Sequence, residues 1–275
     1  MDWSGITLRL RKRYLVFREE RFFGAMALGL RAWAQLPGCV LHNGDGRALE
    51  KARLCLRLIP RHTMVSPPLL FALHDVVTRT LRAGTPGAIV ECGVWNGGSA
   101  ALMAAAAHSL GQEREVWLFD SFQGLPEPTE QDAVEVREFY YPGWNLGDEA
   151  RVYEAWKKLG LAPDRLHIQR GWFKETLAIA PIEQISVLHL DCDWYEPVRL
   201  CLETFWERLS PGGIVVLNDY GLYDGANRAT DEFLARQGGQ IDLRSLGPVG
   251  AWFTKPTQPR KPGALLRAPG RGPSG

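Results

Sequence analysis

The sequence predicts an α/β fold built on a mostly parallel, open sheet with a helical N-terminal cap, and three observations carry that expectation. From residue 88 onward, short apolar runs alternate with longer stretches of helical periodicity, the pattern of repeated βαβ units. The gaps between the runs are long enough for right-handed crossovers, so successive strands are expected to lie parallel. The last two runs are instead separated by Gly247, Pro248 and Gly250, a spacing that suits an antiparallel hairpin at the end of the sheet.

Strands are expected over 88–94, 115–121, 166–171, 185–191 and 213–217, with the hairpin runs at 241–246 and 251–255. Helical patterns fall between them at 99–110, which is Ala-rich, and at 148–158, 197–209 and 227–237. Ahead of the first strand, helical patterns at 14–36, 48–58 and 67–82 suggest a cap over residues 1–83 that doubles as a dimer arm. The sheet domain would then occupy 84–256, and the Pro-, Gly- and Arg-rich tail 257–275 reads as disordered. Arg11, Lys12, Arg13, Arg18 and Arg21 are interleaved with Leu10, Leu15 and Phe17, a mixture that suits a membrane surface or a helix face packed on a partner subunit. The second is the more usual use of such a charge run, and a homo-oligomer is expected.

With 275 residues, 45% of them hydrophobic and 23% charged, the chain can bury one full core. The 32 basic residues nearly balance the 31 acidic ones, so the overall field gives no reason to expect nucleic acid, and small molecules are the expected partners. Cys39, Cys55, Cys92, Cys192 and Cys201 are scattered without a C-x-x-C pair, as expected of reduced core thiols in a cytoplasmic protein. Charges run through the first 21 residues, so no cleavable leader is read there. The longest apolar run, 22–36, contains Arg31 and is too short to span a bilayer, so no stable membrane insertion is expected.

The first candidate site follows the first strand, in Glu91-Cys92-Gly93-Val94-Trp95-Asn96-Gly97-Gly98-Ser99. Glycines between a strand and a helix let the backbone turn tightly and approach a ligand beside a helix N-terminus. The spacing is not G-x-G-x-x-G, because only three residues separate Gly93 from Gly97, so no pyrophosphate need be read here. The second strand ends in Phe119-Asp120-Ser121, which places a carboxylate where open α/β sheets bind ligands. Asp120 either accepts the ribose hydroxyls of an adenosine or caps the following turn.

The second candidate site spans two strand ends, His189-Leu190-Asp191-Cys192-Asp193 and Leu217-Asn218-Asp219. If these strands are neighbours, Asp191, Asn218 and Asp219 meet at one point, and three hard oxygen donors without imidazole or thiolate suit Mg²⁺. Capping is the plainer use of strand-end acids, and it is the expected role of Asp193 at the helix near Pro197. It accounts less well for carboxylates set directly on apolar strands, where unpaired charge is costly. A zinc site on His189 and Cys192 is disfavoured, since strand neighbours at odd spacing face opposite sides; both read as core residues.

These motifs together resemble a known family. Val90-Glu91-Cys92-Gly93-Val94-Trp95-Asn96-Gly97-Gly98-Ser99, the run 119–126, the run Gly171-Trp172-Phe173-Lys174-Glu175-Thr176-Leu177, the run 189–197 and the run 209–221 are similar, in order, to the TylF-type macrocin O-methyltransferases. The resemblance extends over roughly 62–255 and implies a Rossmann-like class I methyltransferase sheet, S-adenosyl-L-methionine as cofactor, and a sugar or phenolic hydroxyl of a natural product as acceptor. It implies a cofactor-binding set of Glu91, Gly93, Trp95, Gly97, Ser99, Asp120, Ser121, Gly171, Trp172, Thr63, Met64 and Asp191. Thr63 and Met64 have an equally plain reading as a helix-start turn capped by Thr63. The family commonly has two aspartates where this chain has Asn218-Asp219, so the ligand set carries one charge fewer.

In the implied reaction the cofactor's methyl is held in line with a metal-bound acceptor oxygen, and Asp191 serves as ligand and general base, with His189 as the weaker alternative. The loop 122–147 carries Phe139, Tyr140, Tyr141 and Trp144, which either stack on the acceptor or pack on the domain. Two other functions compete: a nicotinamide-dependent oxidoreductase using Asp120, and a non-catalytic adenosylmethionine-binding protein, which Asn218 keeps open. The glycine spacing and the strand-end acids argue against the first.

Overall fold

The computed structural model describes residues 54–55, 57–58, 61–237, 241–246 and 249–257. The helical pattern 14–36, most of 48–58, the basic stretch before residue 22 and the tail beyond 257 lie outside them. In chain order the elements are α1 (Pro67–Arg82), β1 (Ala88–Cys92), α2 (Gly98–Ser109), β2 (Val116–Asp120), α3 (Val134–Phe139), α4 (Glu149–Leu159), a 3₁₀ turn (Pro163–Arg165), β3 (Leu166–Arg170), α5 (Phe173–Thr176), β4 (Ile185–Leu190), α6 (Tyr195–Phe205), β5 (Leu209–Leu217), α7 (Asp224–Arg236), β6 (Arg244–Ser245) and β7 (Ala251–Thr254).

Among the described residues the strands form one seven-stranded sheet in the order β3-β2-β1-β4-β5-β7-β6. β1 to β5 pair in parallel, and β7 pairs antiparallel with both β5 and β6. The expected α/β architecture with a closing antiparallel pair is therefore present. Alternate residues feed two apolar layers, as the pleat requires. Ile89, Leu118, Val187, Ile214 and Val216 face α1, α2 and α4, whereas Val90, Phe119, Leu188, Val215 and Leu217 face α6 and α7. α2 is buried nearly all round because half of its residues are alanine, which lets it lie close to the sheet.

Three differences from the expected elements have local causes. β5 begins at Leu209, before Pro211-Gly212-Gly213, because the pairing with β4 jumps from Ile185↔Leu209 to Val187↔Ile214 and the turn residues are accommodated as a register shift. α6 begins at Tyr195, two residues ahead of Pro197, so the proline occupies the first turn, where its missing N–H costs nothing. α3 buries no side chain and so left no apolar periodicity to read.

Candidate active site

The strand order changes direction between β1 and β4, and the open sheet leaves its crevice at the carboxyl ends of these two strands. Gly93 follows β1, and Asp191 follows β4. They touch: Asp191 N–H donates to Cys92 O at 2.9 Å, and a Cβ on Gly93 would lie 1.8 Å from Asp191 O. Only glycine fits there, and its φ of 82° also lies in the left-handed region. One further strand along, Asn218 N–H donates to Leu190 O at 2.9 Å, which sets the end of β5 beside the end of β4.

This pairing brings Asp191, Asn218 and Asp219 together. Asn218 Nδ2 donates to Asp191 Oδ1 at 2.8 Å and reaches Asp219 Oδ1 at 3.5 Å, while Asp219 Oδ2 accepts from Asp193 N–H at 3.0 Å. Burial pushes the Asp191 carboxyl well above the usual carboxylate range, with the neighbouring Asp219 adding to the effect. Burial raises Asp193 and Asp219 as well. Asn218 Oδ1 is buried without a partner, so the amide retains an unspent acceptor beside two carboxylates. The buried His189 imidazole supplies the positive charge that offsets this crowded acid in part. Among the described residues no three His, Cys, Asp or Glu side chains are gathered so as to hold a metal, so the candidate set is two carboxylates and one amide.

Behind this cluster, Glu91 and His189 face each other across β1 and β4, with Nδ1 2.7 Å from Glu91 Oε1. Both are essentially inaccessible. Burial opposes charge on His189, but the Glu91 hydrogen bond and the surrounding carboxyls outweigh it and hold the imidazole above its ordinary value. Glu91 Oε2 has no partner. Cys192 faces the other side, in a buried group with Cys92 and Cys201, as its odd spacing from His189 requires.

A cavity of about 370 Å³ opens in front of the strand ends, within the size range of small-molecule sites. Of the residues singled out from the sequence, Gly93, Asp120, Ser121, Gly171, Trp172 and Asp191 line it. Glu91, Trp95, Gly97, Ser99, Thr63, Met64, Asn218 and Asp219 do not. Of the two roles weighed for Asp120, the cap of the following turn is present, and the carboxylate also holds the glycine loop. Its Oδ2 accepts from Val94 N–H at 2.8 Å and Trp95 N–H at 3.0 Å, fixing the glycine loop, and its Oδ1 accepts from Phe122 N–H at 2.7 Å, capping the next turn. Gly97 and Gly98 answer to neighbouring protein: a Cβ at Gly97 would meet Val152 Cγ1 at 2.9 Å, and one at Gly98 would meet His62 O at 2.5 Å. Thr63 Oγ1 accepts from Val65 N–H, closing a turn rather than capping α1, whose N-cap residue is Ser66.

The loop between β2 and α4 forms the far wall. Trp194 Nε1 donates to Pro126 O at 3.0 Å, and the Trp194 ring meets Trp144 and Tyr223 edge-on. Tyr141 stacks on Trp144 at 5.6 Å and is 58% exposed as a residue, and Tyr140 OH donates to Leu125 O. Most of the aromatic loop therefore packs on the domain, and Tyr141 is left facing outward. Asp193 is not the N-cap of α6. It lies in the left-handed region with φ 59°, and the residue that binds the first helical N–H is Asp132, which the sequence pattern did not reveal. Trp95, Phe122 and Asn145 also have positive φ, so the strained non-glycine backbone gathers around this one edge of the sheet.

A family profile described as macrocin O-methyltransferase (TylF) matches residues 51–255, most of the chain. The chain belongs to this family. As a TylF family member it is an O-methyltransferase. It is 38% identical over 215 residues to 8-demethyl-8-(2,3-dimethoxy-alpha-L-rhamnosyl)-tetracenomycin-C 4'-O-methyltransferase of Streptomyces olivaceus, spanning 76% of this chain and 82% of that one. Over 200 residues it is 31% identical to mycinamicin III 3''-O-methyltransferase of Micromonospora griseorubida, with 70% and 78% covered. Among solved structures, the O-methyltransferase NovP superposes with a TM-score of 0.66 at 29% identity, covering 71% of this chain and 82% of its own. The calicheamicin methyltransferase CalS11, at 21% identity and TM-score 0.57, shares the fold. Among the described residues no helix is long and apolar enough to cross a membrane.

Proposed function

We propose that this TylF family member transfers the methyl group of S-adenosylmethionine to a hydroxyl of a sugar- or phenol-bearing natural product, with magnesium held by Asp191, Asn218 and Asp219. The observation that carries the reading is the meeting of those three side chains at the ends of β4 and β5, with Asp191 lining the cavity. In chemical type the set suits a hard cation, two carboxylates and an amide with no lysine or arginine among their hydrogen-bond partners. Asn218 turns Nδ2 toward the carboxylates, so its buried, partnerless Oδ1 would serve the ion with the amide flipped. The cavity fits a nucleoside-sized cofactor, with Asp120 and Ser121 at the end of β2 and Gly171 and Trp172 after β3 on its wall. The names of the two relatives favour hydroxyls of glycosylated natural products as acceptors.

Net transfer breaks the acceptor's O–H bond and the cofactor's methyl–sulfur bond, forms an O–CH₃ bond, and leaves the neutral thioether S-adenosylhomocysteine and one proton. When bound, the cofactor supplies a methyl on positively charged sulfur, and the metal supplies Lewis-acid charge. The protein's own contribution is positional and acid–base. Gly93 keeps the glycine loop against the Asp191 backbone, Asp120 holds that loop, and Asp219 fixes the following turn through Asp193 N–H. Asp191 Oδ1 is engaged by Asn218, and we assign the acceptor's proton to Oδ2.

The test is methyl transfer from labelled S-adenosylmethionine, with calorimetric binding of S-adenosylhomocysteine alongside. Asp191→Asn is expected to lose at least ~100-fold in kcat, the span of a general base, while the product cofactor still binds. Wild-type turnover by that variant, or full activity in excess chelator, overturns the reading.

A further inference from the structure

One buried carboxylate outside the reacting cluster ties three separate parts of the site together. Asp132 comes from the loop between β2 and α4 and is only 5% exposed. Its Oδ1 accepts from Tyr195 N–H at 2.8 Å, the first residue of α6, and its Oδ2 accepts from Thr129 N–H at 2.8 Å and Thr129 Oγ1 at 3.2 Å. It also abuts α7, since a Cβ on Gly225 would lie 1.9 Å from Asp132 Oδ1. Trp194, the N-cap residue of α6, gives the helix no side-chain cap, so this long-range carboxylate does the capping from 63 residues away.

The segment so held is the turn that carries the acids. From Asp191 to Tyr195 the chain is pinned at two points: Asp219 binds Asp193 N–H from the sheet side, and Asp132 binds Tyr195 N–H from the loop side. Between these pins Asp193 is in the left-handed region at φ 59°, a conformation that a non-glycine residue keeps only when its surroundings impose it. Trp194 adds a third tie to the same loop through Pro126 O. Asp132, Trp194 and Asp191 all line the cavity.

We propose that Asp132 is a positioning residue for methyl transfer: by capping α6 from the acceptor-side loop, it locks that loop and the Asp191–Tyr195 turn into one geometry. The proposal rests on the reading of this crevice as the methyl-transfer site. It acts through backbone placement and needs no contact between Asp132 and any reacting atom. A displacement of about 1 Å at a reacting group is enough to cost ~100-fold in rate.

Two substitutions reach the same tie from opposite sides. Asp132→Asn keeps the shape but turns one accepting oxygen into a donor facing an N–H. Gly225→Ala leaves Asp132 intact and fills the space its Oδ1 occupies. Both are expected to lower kcat on the order of 10–100-fold and to raise the acceptor KM, with the Kd for S-adenosylhomocysteine within about threefold of wild type. Thr129→Val removes the Oγ1 bond to Asp132, together with the Gln131 N–H bond to that hydroxyl, but keeps the Thr129 N–H bond, and is expected to fall between wild type and these two. Thermal melts accompany each assay, run at least ~10 °C below the variant's midpoint, so loss through unfolding is separated from loss through misplacement. Wild-type kcat and KM in a folded Asp132→Asn or Gly225→Ala protein overturns the proposal, and so does a defect confined to cofactor binding. If Asp191→Asn stays active while both tie variants lose kcat, the assignment of the base fails and the positioning role stands. If Asp191→Asn is dead and the tie variants are normal, the reverse holds.

Discussion

Asn218 sits between two carboxylates in the set we propose for magnesium, and its amide stands where the family resemblance implies an aspartate. Its Nδ2 spans Asp191 and Asp219 and separates two buried acids that would otherwise repel. Asn218→Asp removes that spacer and adds a third negative charge. In the absence of divalent ions the variant is expected to be less stable than wild type, by about 1–3 kcal/mol, the cost of a buried hydrogen bond lost and a charge left unpaired. In their presence it is expected to bind Mg²⁺ more tightly and to keep or raise activity, since a hard cation gains from an added carboxylate. Denaturant melts with and without Mg²⁺ check both halves; a variant whose stability does not respond to the ion contradicts them. Asp191 and the Asn218-Asp219 pair were legible in the sequence because each ends an apolar run, where a polar or charged side chain is conspicuous. Asp132 was not, because it lies in a stretch without periodicity and its partner Tyr195 is 63 residues away.

At the scale of the element, α2 shows how a correct motif reading can rest on the wrong contact. Gly97 was expected to be glycine so that a ligand could come close, yet the close neighbour is α4, through Val152, and the backbone at Gly97 has φ 79°. Gly97→Val therefore combines an unfavourable left-handed conformation for a β-branched side chain with a clash against a packed helix. A loss of roughly 2–4 kcal/mol is expected, read as a lower denaturant midpoint with or without cofactor; unchanged stability contradicts it. At the sheet's other side, Glu115 accepts from His167 at 2.6 Å and Arg165 at 2.5 Å beside the edge strand β3. The His167 hydrogen bond, chiefly, holds the Glu115 carboxyl below its ordinary value. A carboxyl depressed on folding contributes stability above its unfolded value of 4.5, and the contribution is lost as pH falls through the lower folded value. Because the group is 43% exposed, Glu115→Gln is expected to cost less than about 1 kcal/mol at pH 7. Melts at pH 7 and below 4 check the sign: the gap between variant and wild type closes as the solution is acidified.

For the whole molecule, the parallel order and the closing antiparallel pair followed from run lengths and crossover gaps, which is information that periodicity holds. The register shift in β5, the short α3 and the αL residues around the cavity did not, because each is fixed by tertiary neighbours rather than by local pattern. What the assembled fold does hold is a crevice at the strand-order reversal, with the glycine loop tied to the second strand by Asp120 and to the fourth by Gly93. A ligand that spans this crevice joins elements from both halves of the sheet, so its binding should appear as global stability. S-adenosylhomocysteine is expected to bind with micromolar or tighter affinity, about 8 kcal/mol, and at a concentration of 100 Kd to stabilise the fold by about 2.7 kcal/mol. For a domain of this size that is a rise of roughly 5–11 °C in melting temperature. NAD at the same concentration is expected to give no rise, because the glycine spacing offers no pyrophosphate cradle. Asp120→Ala should shrink the response to S-adenosylhomocysteine, since Val94 N–H and Trp95 N–H lose their acceptor and the loop its fixed geometry. A melting shift with NAD and none with S-adenosylhomocysteine would mean that the crevice was built for a different nucleotide.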